Sequence, residues 1–283
     1  LGKEIMIKIA TPHLEELAHK HYEALKSKIK DFTCKYSLEE VITTKLKKLH
    51  EIAMTYKGDT TFNFMINLYD NFCDKKKEYN AYDLAQSLQI NVCPYCNRNY
   101  TFTVRSKNGS TRPQFDHFYN KATYPILALS FYNLIPSCPT CNSSIKRCKQ
   151  FLLTTHVHPY IEGFDDKTHF SLHVKNSSFY YDEKGFDLNL CSHNTKAQKN
   201  IDDFALQEIY KNHKDIVLEL IQKSVMYNES YIDELMKNYE GTLFKNEEDL
   251  LRLIFGGYIA DEDLSKKPLS KLTKDILEQL EII

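Results

Sequence analysis

No glycine-rich phosphate loop of the Walker type occurs in the 283 residues, so P-loop hydrolysis of ATP by this chain is excluded. Any ATP dependence would have to come from a partner. No internal repeat or low-complexity segment is present, and no solenoid is expected. No apolar run approaches the ~20 residues that a membrane span needs. No leader with a basic start and an apolar core is visible, so the expectation is a soluble, cytoplasmic protein with no membrane partner. A net charge of −1 favours neither sign of partner. Eight cysteines in a chain of this length lack the density of a disulfide-stapled small domain, which suits reduced thiols.

Four of those cysteines are paired by spacing, as Cys93-Pro-Tyr-Cys96 and Cys138-Pro-Thr-Cys141. Two thiolates separated by two residues can bind one Zn²⁺ from a tight turn, and a second such pair completes a closed four-thiolate site. Pro94 and Pro139 suit the turns through their fixed φ. Disulfides are the alternative. A zinc closed by four thiolates has no open position, so it is expected to hold loops together without activating water.

Between the pairs lies Asp116-His117, in a β-like run from Arg112 to Phe118. Adjacent strand residues face opposite sides, so the two can serve one phosphate only if the strand ends and twists there. Asn142 follows Cys141, and Lys146 lies one helical turn further on. A carboxylate and an amide oxygen are hard ligands suited to Mg²⁺, and an imidazole can take a proton near neutral pH. Together with a lysine they suit phosphodiester hydrolysis, where water loses a proton and phosphate charge is neutralised. The dipeptide could instead be a structural histidine beside a surface aspartate.

At these residues the chain resembles the HNH, or ββα-metal, endonucleases in their zinc-bearing form. The resemblance implies that Asp116 and Asn142 hold a catalytic Mg²⁺ or Mn²⁺ and that His117 is the general base. It implies that Asn133 orients the loop and the histidine, that Lys146 is the basic residue on the helix, and that the products carry 5′-phosphates. Many members have histidine where Asn142 stands, a departure that bears on metal affinity. The wording Cys93-Pro-Tyr-Cys-Asn-Arg98, Phe115-Asp-His-Phe118 and Leu127-Ala-Leu-Ser-Phe-Tyr-Asn-Leu-Ile-Pro-Ser-Cys138, with the later His158-Pro-Tyr160 and His169-Phe170, is similar to the HNH subunit of Septu-type anti-phage defence systems. That family implies an SMC-like, ABC-type ATPase as partner.

Charge distribution agrees with a polyanionic substrate. From Cys93 to Gln150 the basic residues are Arg98, Arg105, Lys107, Arg112, Lys121, Lys146, Arg147 and Lys149 against Asp116 alone, a local +7 that leaves about −8 elsewhere. Such a basic module is the footprint expected for nucleic acid, DNA ahead of RNA, although a stapled loop region could use the same charges for solubility.

The expected architecture is α+β. A helical region at residues 1–90 precedes a zinc-stapled ββα-metal (HNH) nuclease module at 91–160, and a mainly helical region follows at 161–283. Periodicity predicts helices over residues 11–32, from the Ser37-Leu-Glu-Glu40 capping box through Ala53, over 59–74 and over Ala81–Leu88. Strands at Tyr100–Val104 and Arg112–Phe118 are expected to form a hairpin around Lys107–Ser110, feeding Asp116-His117. His156-Val-His158 and Phe170–Val174 read as strands, with His158 a candidate for positioning nucleic acid. A second metal site among the later histidines is not favoured. His19, His21 and His50 read as surface or half-buried, and Cys34, Cys73 and Cys191 as small core residues. A long amphipathic stripe runs from Phe204 to Ile221, Gly256-Gly257 breaks the helical pattern, and a last helix spans Ser270–Leu280. The competing reading is a catalytically silent zinc-stapled module that binds nucleic acid or protein.

Overall fold

The computed structural model describes residues 7–9, 11–30, 32–164 and 168–283. The chain is α+β and forms two compact units: Lys8–Tyr95 with Asn99–Gly163, and a second containing Phe164–Ile283 and Cys96–Arg98. No helix among the described residues is long and apolar enough to cross a membrane.

The first unit begins with helices α1 (Leu14–Lys26), α2 (Leu38–Thr43), α3 (Leu46–Thr55), α4 (Asn63–Phe72) and α5 (Ala81–Leu88). Asp31, within the expected first helix, lies outside the described residues. The Ser37 capping box forms, with Ser37 Oγ accepting from Glu40 N and Glu40 Oε2 accepting from Ser37 N. The single helix expected after it is two. Val41 to Thr44 are all β-branched, which lowers helix propensity, and the chain is extended at Thr44 and Lys45 before α3 starts. Both helices bury their apolar stripes, with Val41, Ile42, Leu49, Ile52 and Ala53 fully enclosed.

The strands depart from the expected hairpin. β1 (Val104–Arg105) and β2 (Ser110–Thr111) pair around the Lys107–Gly109 turn, but Pro113, which has no N–H to give a ladder, separates them from β3 (Gln114–His117). β3 pairs antiparallel with β4 (Leu134–Ser137), setting Asp116 opposite Ile135 and His117 opposite Leu134. Two 3₁₀ turns, Pro125–Leu127 and Phe131–Asn133, bridge β3 to β4.

His21 corrects the surface reading, since it is fully buried. Its Nε2 lies 3.0 Å from the Leu129 carbonyl and its Nδ1 2.9 Å from the Tyr79 hydroxyl. A carbonyl only accepts, so Nε2 carries the proton and Tyr79 donates to Nδ1. Burial pushes the imidazole down to about 4, and the unfolded chain keeps a value near 6.5. Between those values the unfolded state binds a proton that the folded state refuses. The stability His21 contributes is therefore full above pH 6.5 and is lost towards pH 4, at about 1.4 kcal/mol per pH unit. In urea titrations, His21→Gln is expected to flatten the dependence of unfolding free energy on pH by about one proton across that window. An unchanged slope would rule out His21 as a source of acid sensitivity.

In the second unit, β5 (Thr168–Val174) and β6 (Phe186–Ser192) form an antiparallel hairpin. The Phe170–Val174 expectation falls inside β5, while β6 was not foreseen. Cys191 is exposed, not core, because it sits on the outward phase of β6, and Cys34 and Cys73 are half-buried. α6 (Thr195–Asp203) precedes the amphipathic stripe, which begins at Phe204, is interrupted at Ala205, whose φ is +51, and divides into α7 (Leu206–Tyr210) and α8 (Lys214–Met226). α9 (Glu229–Tyr239), α10 (Glu247–Phe255) and α11 (Ser270–Gln279) complete it. Gly256, at φ +78, ends α10 in the left-handed conformation that glycine adopts without strain. α11 satisfies the free edge of β5: Asp275 accepts from Phe170 N at 2.9 Å, and Gln279 exchanges hydrogen bonds with the Leu172 backbone. In the same unit Asn97, at φ +45, is fixed by bonds to Leu264 O, Leu269 N and Lys271 N.

Candidate active site and cysteine cluster

Cys93, Cys96, Cys138 and Cys141 are buried, free of disulfides, and have their sulfurs within 4.8 Å of one another. A tetrahedral zinc with bonds of about 2.3 Å would set its sulfurs about 3.8 Å apart, so the cluster can hold a structural Zn²⁺. Its surroundings supply donors suited to thiolates. Cys138 N points at Cys93 Sγ (3.4 Å), Cys141 N at Cys138 Sγ (3.5 Å) and Asn99 Nδ2 at Cys138 Sγ (3.2 Å). Such bonds spread thiolate charge and orient the ligands. Among the described residues this is the one group of three or more His, Cys, Asp or Glu placed to hold a metal.

The cluster anchors a short chemical chain. β4 runs directly into the second cysteine pair, which opens a π-helical turn, Thr140–Lys146, carrying Asn142 and Lys146. From inside the first pair, the Tyr95 hydroxyl donates to Asp116 Oδ2 at 2.7 Å. Lys146 is 1 % exposed; its Nζ donates to Asp116 Oδ1 (2.9 Å) and to the His117 carbonyl (2.7 Å) and stands 4.8 Å from the Phe151 ring centre. Both Asp116 oxygens are thus held, and the buried ammonium matches the buried carboxylate. Lys146 is out of reach of bulk solvent, and its ammonium is bonded only within this chain of contacts among the described residues.

A cleft of about 460 Å³ opens where β3 ends, lined by Asp116, His117 and Asn142 together with Arg112, Lys121 and Arg147. The end of the strand at His117 lets consecutive residues reach one cleft. His117 Nε2 lies 2.9 Å from the Ala128 carbonyl, so the neutral ring carries its proton there and Nδ1 is the acceptor. Burial pushes its pKa down to about 4. The Tyr69 ring packs edge-on against the imidazole at 4.4 Å and fixes its plane. Asn142 donates through Nδ2 to Gln114 Oε1 (2.8 Å), leaving Oδ1 as its acceptor. Asn133 is fully buried: its Oδ1 accepts from Tyr119 N (2.7 Å), and its Nδ2 donates to Tyr119 O and Leu127 O (3.0 Å each). It pins the loop that leaves His117.

Tyr95, Gln114 and Tyr69 were not foreseen. Gln114 was accessible in principle, since it precedes Asp116 by two and shares its strand face. His158 corrects the nucleic-acid expectation: it is wholly buried, 4.2 Å from the Phe118 ring centre, and accepts from Tyr160 N. Residues 156–158 are not a strand, and His156 stacks on Phe151 at 3.7 Å. No family model, curated protein or solved structure matches the chain.

Proposed function

We propose that the chain is a metal-dependent HNH endonuclease, its β3, β4 and the turn after them serving as a ββα-metal module that hydrolyses phosphodiester bonds, DNA ahead of RNA. One observation carries this reading: His117 has its Nε2 committed to a carbonyl and Nδ1 free to accept, on the same cleft as Asp116 and Asn142. Asp116 and Asn142 offer hard oxygen donors, and a carboxylate whose oxygens each accept one bond keeps further lone pairs. A bound Mg²⁺ or Mn²⁺ would supply charge neutralisation at the phosphate and the leaving oxygen. His117 Nδ1 takes the proton from the attacking water, Asn133 holds the loop behind it, and Lys146 with Tyr95 fixes Asp116. Arg112, Lys121 and Arg147 give the cleft the positive potential that draws a polyanion.

The motif wording adds an SMC-like ATPase partner and anti-phage defence as the setting. A second reading, a silent nucleic-acid- or protein-binding subunit, is favoured by the occupation of both Asp116 oxygens by protein donors. The deciding assay is relaxation of supercoiled plasmid by the chain with Mg²⁺, Mn²⁺ or EDTA, beside Asn142→Ala. Nicking that needs the cation and falls at least tenfold in the variant is expected. Tight binding without cutting under any cation would establish the silent subunit.

A further inference from the structure

The catalytic cleft does not end at β3. A second cavity, also of about 460 Å³, shares Cys73, Arg112 and Gln114 with it and continues to Lys75, Tyr82 and the β2 residues Ser110 and Thr111. Arg112 therefore stands at the junction. Its guanidinium lies 5.4 Å from the Tyr82 ring centre and 5.9 Å from that of Phe115, and Nη1 donates to the Pro113 carbonyl at 2.7 Å. Tyr82 is held from another direction by Arg105, 5.3 Å from the ring centre, which is itself fixed by Asp83 and Asn80. Arg112 is thus ordered without a carboxylate partner among the described residues, and exposed Lys75, on the loop between α4 and α5, has no salt-bridge partner there either. The acid in this cavity, Asp74, turns an oxygen to the Lys76 amide.

An ordered guanidinium with an ammonium and two hydroxyl groups beside it provides the contacts of a sugar-phosphate backbone. Building on the nuclease reading, we propose that this second cavity is a phosphate subsite for nucleotides on one side of the scissile bond. Arg112 and Lys75 are its cations, and the substrate strand runs from the Arg147 end of the cleft towards the β1–β2 hairpin. The contacts register the strand independently of its sequence. A segment outside the zinc-stapled region, the lysine-bearing loop before α5, is thereby part of the substrate surface.

The test measures binding, not turnover. The full chain in EDTA is titrated into two fluorescein-labelled 20-base-pair duplexes of unrelated sequence, followed by anisotropy at several NaCl concentrations. Lys75→Ala lies on an exposed loop, and Arg112→Gln keeps a planar polar group against Tyr82, so neither threatens the fold. Each is expected to weaken both duplexes alike, roughly fivefold at 0.15 M salt, and to reduce the slope of log affinity against log salt by about 0.9, the loss of one phosphate contact. Wild-type affinity and slope in both variants would overturn the subsite while leaving the nuclease intact. Loss confined to one duplex would replace backbone contact with base reading. Failure of the wild type to bind either duplex or to cut plasmid would remove the nuclease reading and the subsite together.

Discussion

His117→Ala is expected to cut the rate of phosphodiester hydrolysis by roughly 10²–10⁴-fold, the usual reach of a general base, with little change in substrate affinity. Hydrogen positions decide which ring nitrogen is basic. The Ala128 carbonyl can only accept, so it fixes the Nε2–H tautomer and leaves the Nδ1 lone pair as the ring's basic site. The Tyr69 ring at 4.4 Å and the Lys146 bond to the His117 carbonyl restrict the ring and the backbone beneath it. His117→Gln separates chemistry from packing, since it fills much of the space and bonds without offering a base. If both variants fold by far-UV circular dichroism, bind duplex like the wild type and fail to cut, Nδ1 is the base. Near wild-type cutting by either would place the base elsewhere.

What was legible in the sequence was local. The four cysteines are legible by spacing, and α5 by its apolar period, because each signal lies within a few residues of its consequence. Asp116, His117 and Asn142 were singled out by type and order, and the fold brings them to one cleft. The partner of β3 was missed because pairing with Leu134–Ser137 is set by packing across an intervening loop, whereas a turn of lysine, asparagine and glycine signals the nearer hairpin. His21 was misread for the same reason: its polar partners Tyr79 and Leu129 are 58 and 108 residues away, so nothing beside it indicates that burial is satisfied. Lys146 was visible as a basic residue on a helical turn, but its burial depends on Asp116 and Phe151 arriving from other segments.

Removing zinc is expected to have the largest effect on stability. Apparent zinc binding energies in small four-ligand sites are about 10–16 kcal/mol, comparable with the 5–15 kcal/mol that holds a typical domain folded. Four buried sulfurs within 4.8 Å need a cation: as thiolates they repel one another, and as thiols they lose the match to the amide donors aimed at them. The damage would not stay at the cluster. Tyr95 reaches Asp116 from inside one pair and Asn142 follows the other, so a loosened cluster releases the Asp116 carboxylate and the Asn142 amide together. Chelation or Cys138→Ser is therefore expected to lower the thermal midpoint by more than 10 °C, by the usual ratio of a few degrees per kcal/mol, and to abolish cutting. Cys148→Ser, at an exposed thiol outside the cluster, is expected to change neither. The check is one zinc per chain released by a thiol reagent, alongside melting curves of the loaded and chelated forms. A metal-free chain that melts where the loaded one does would mean that the cysteines pack without a cation and that Tyr95 and Asn142 are held by other contacts.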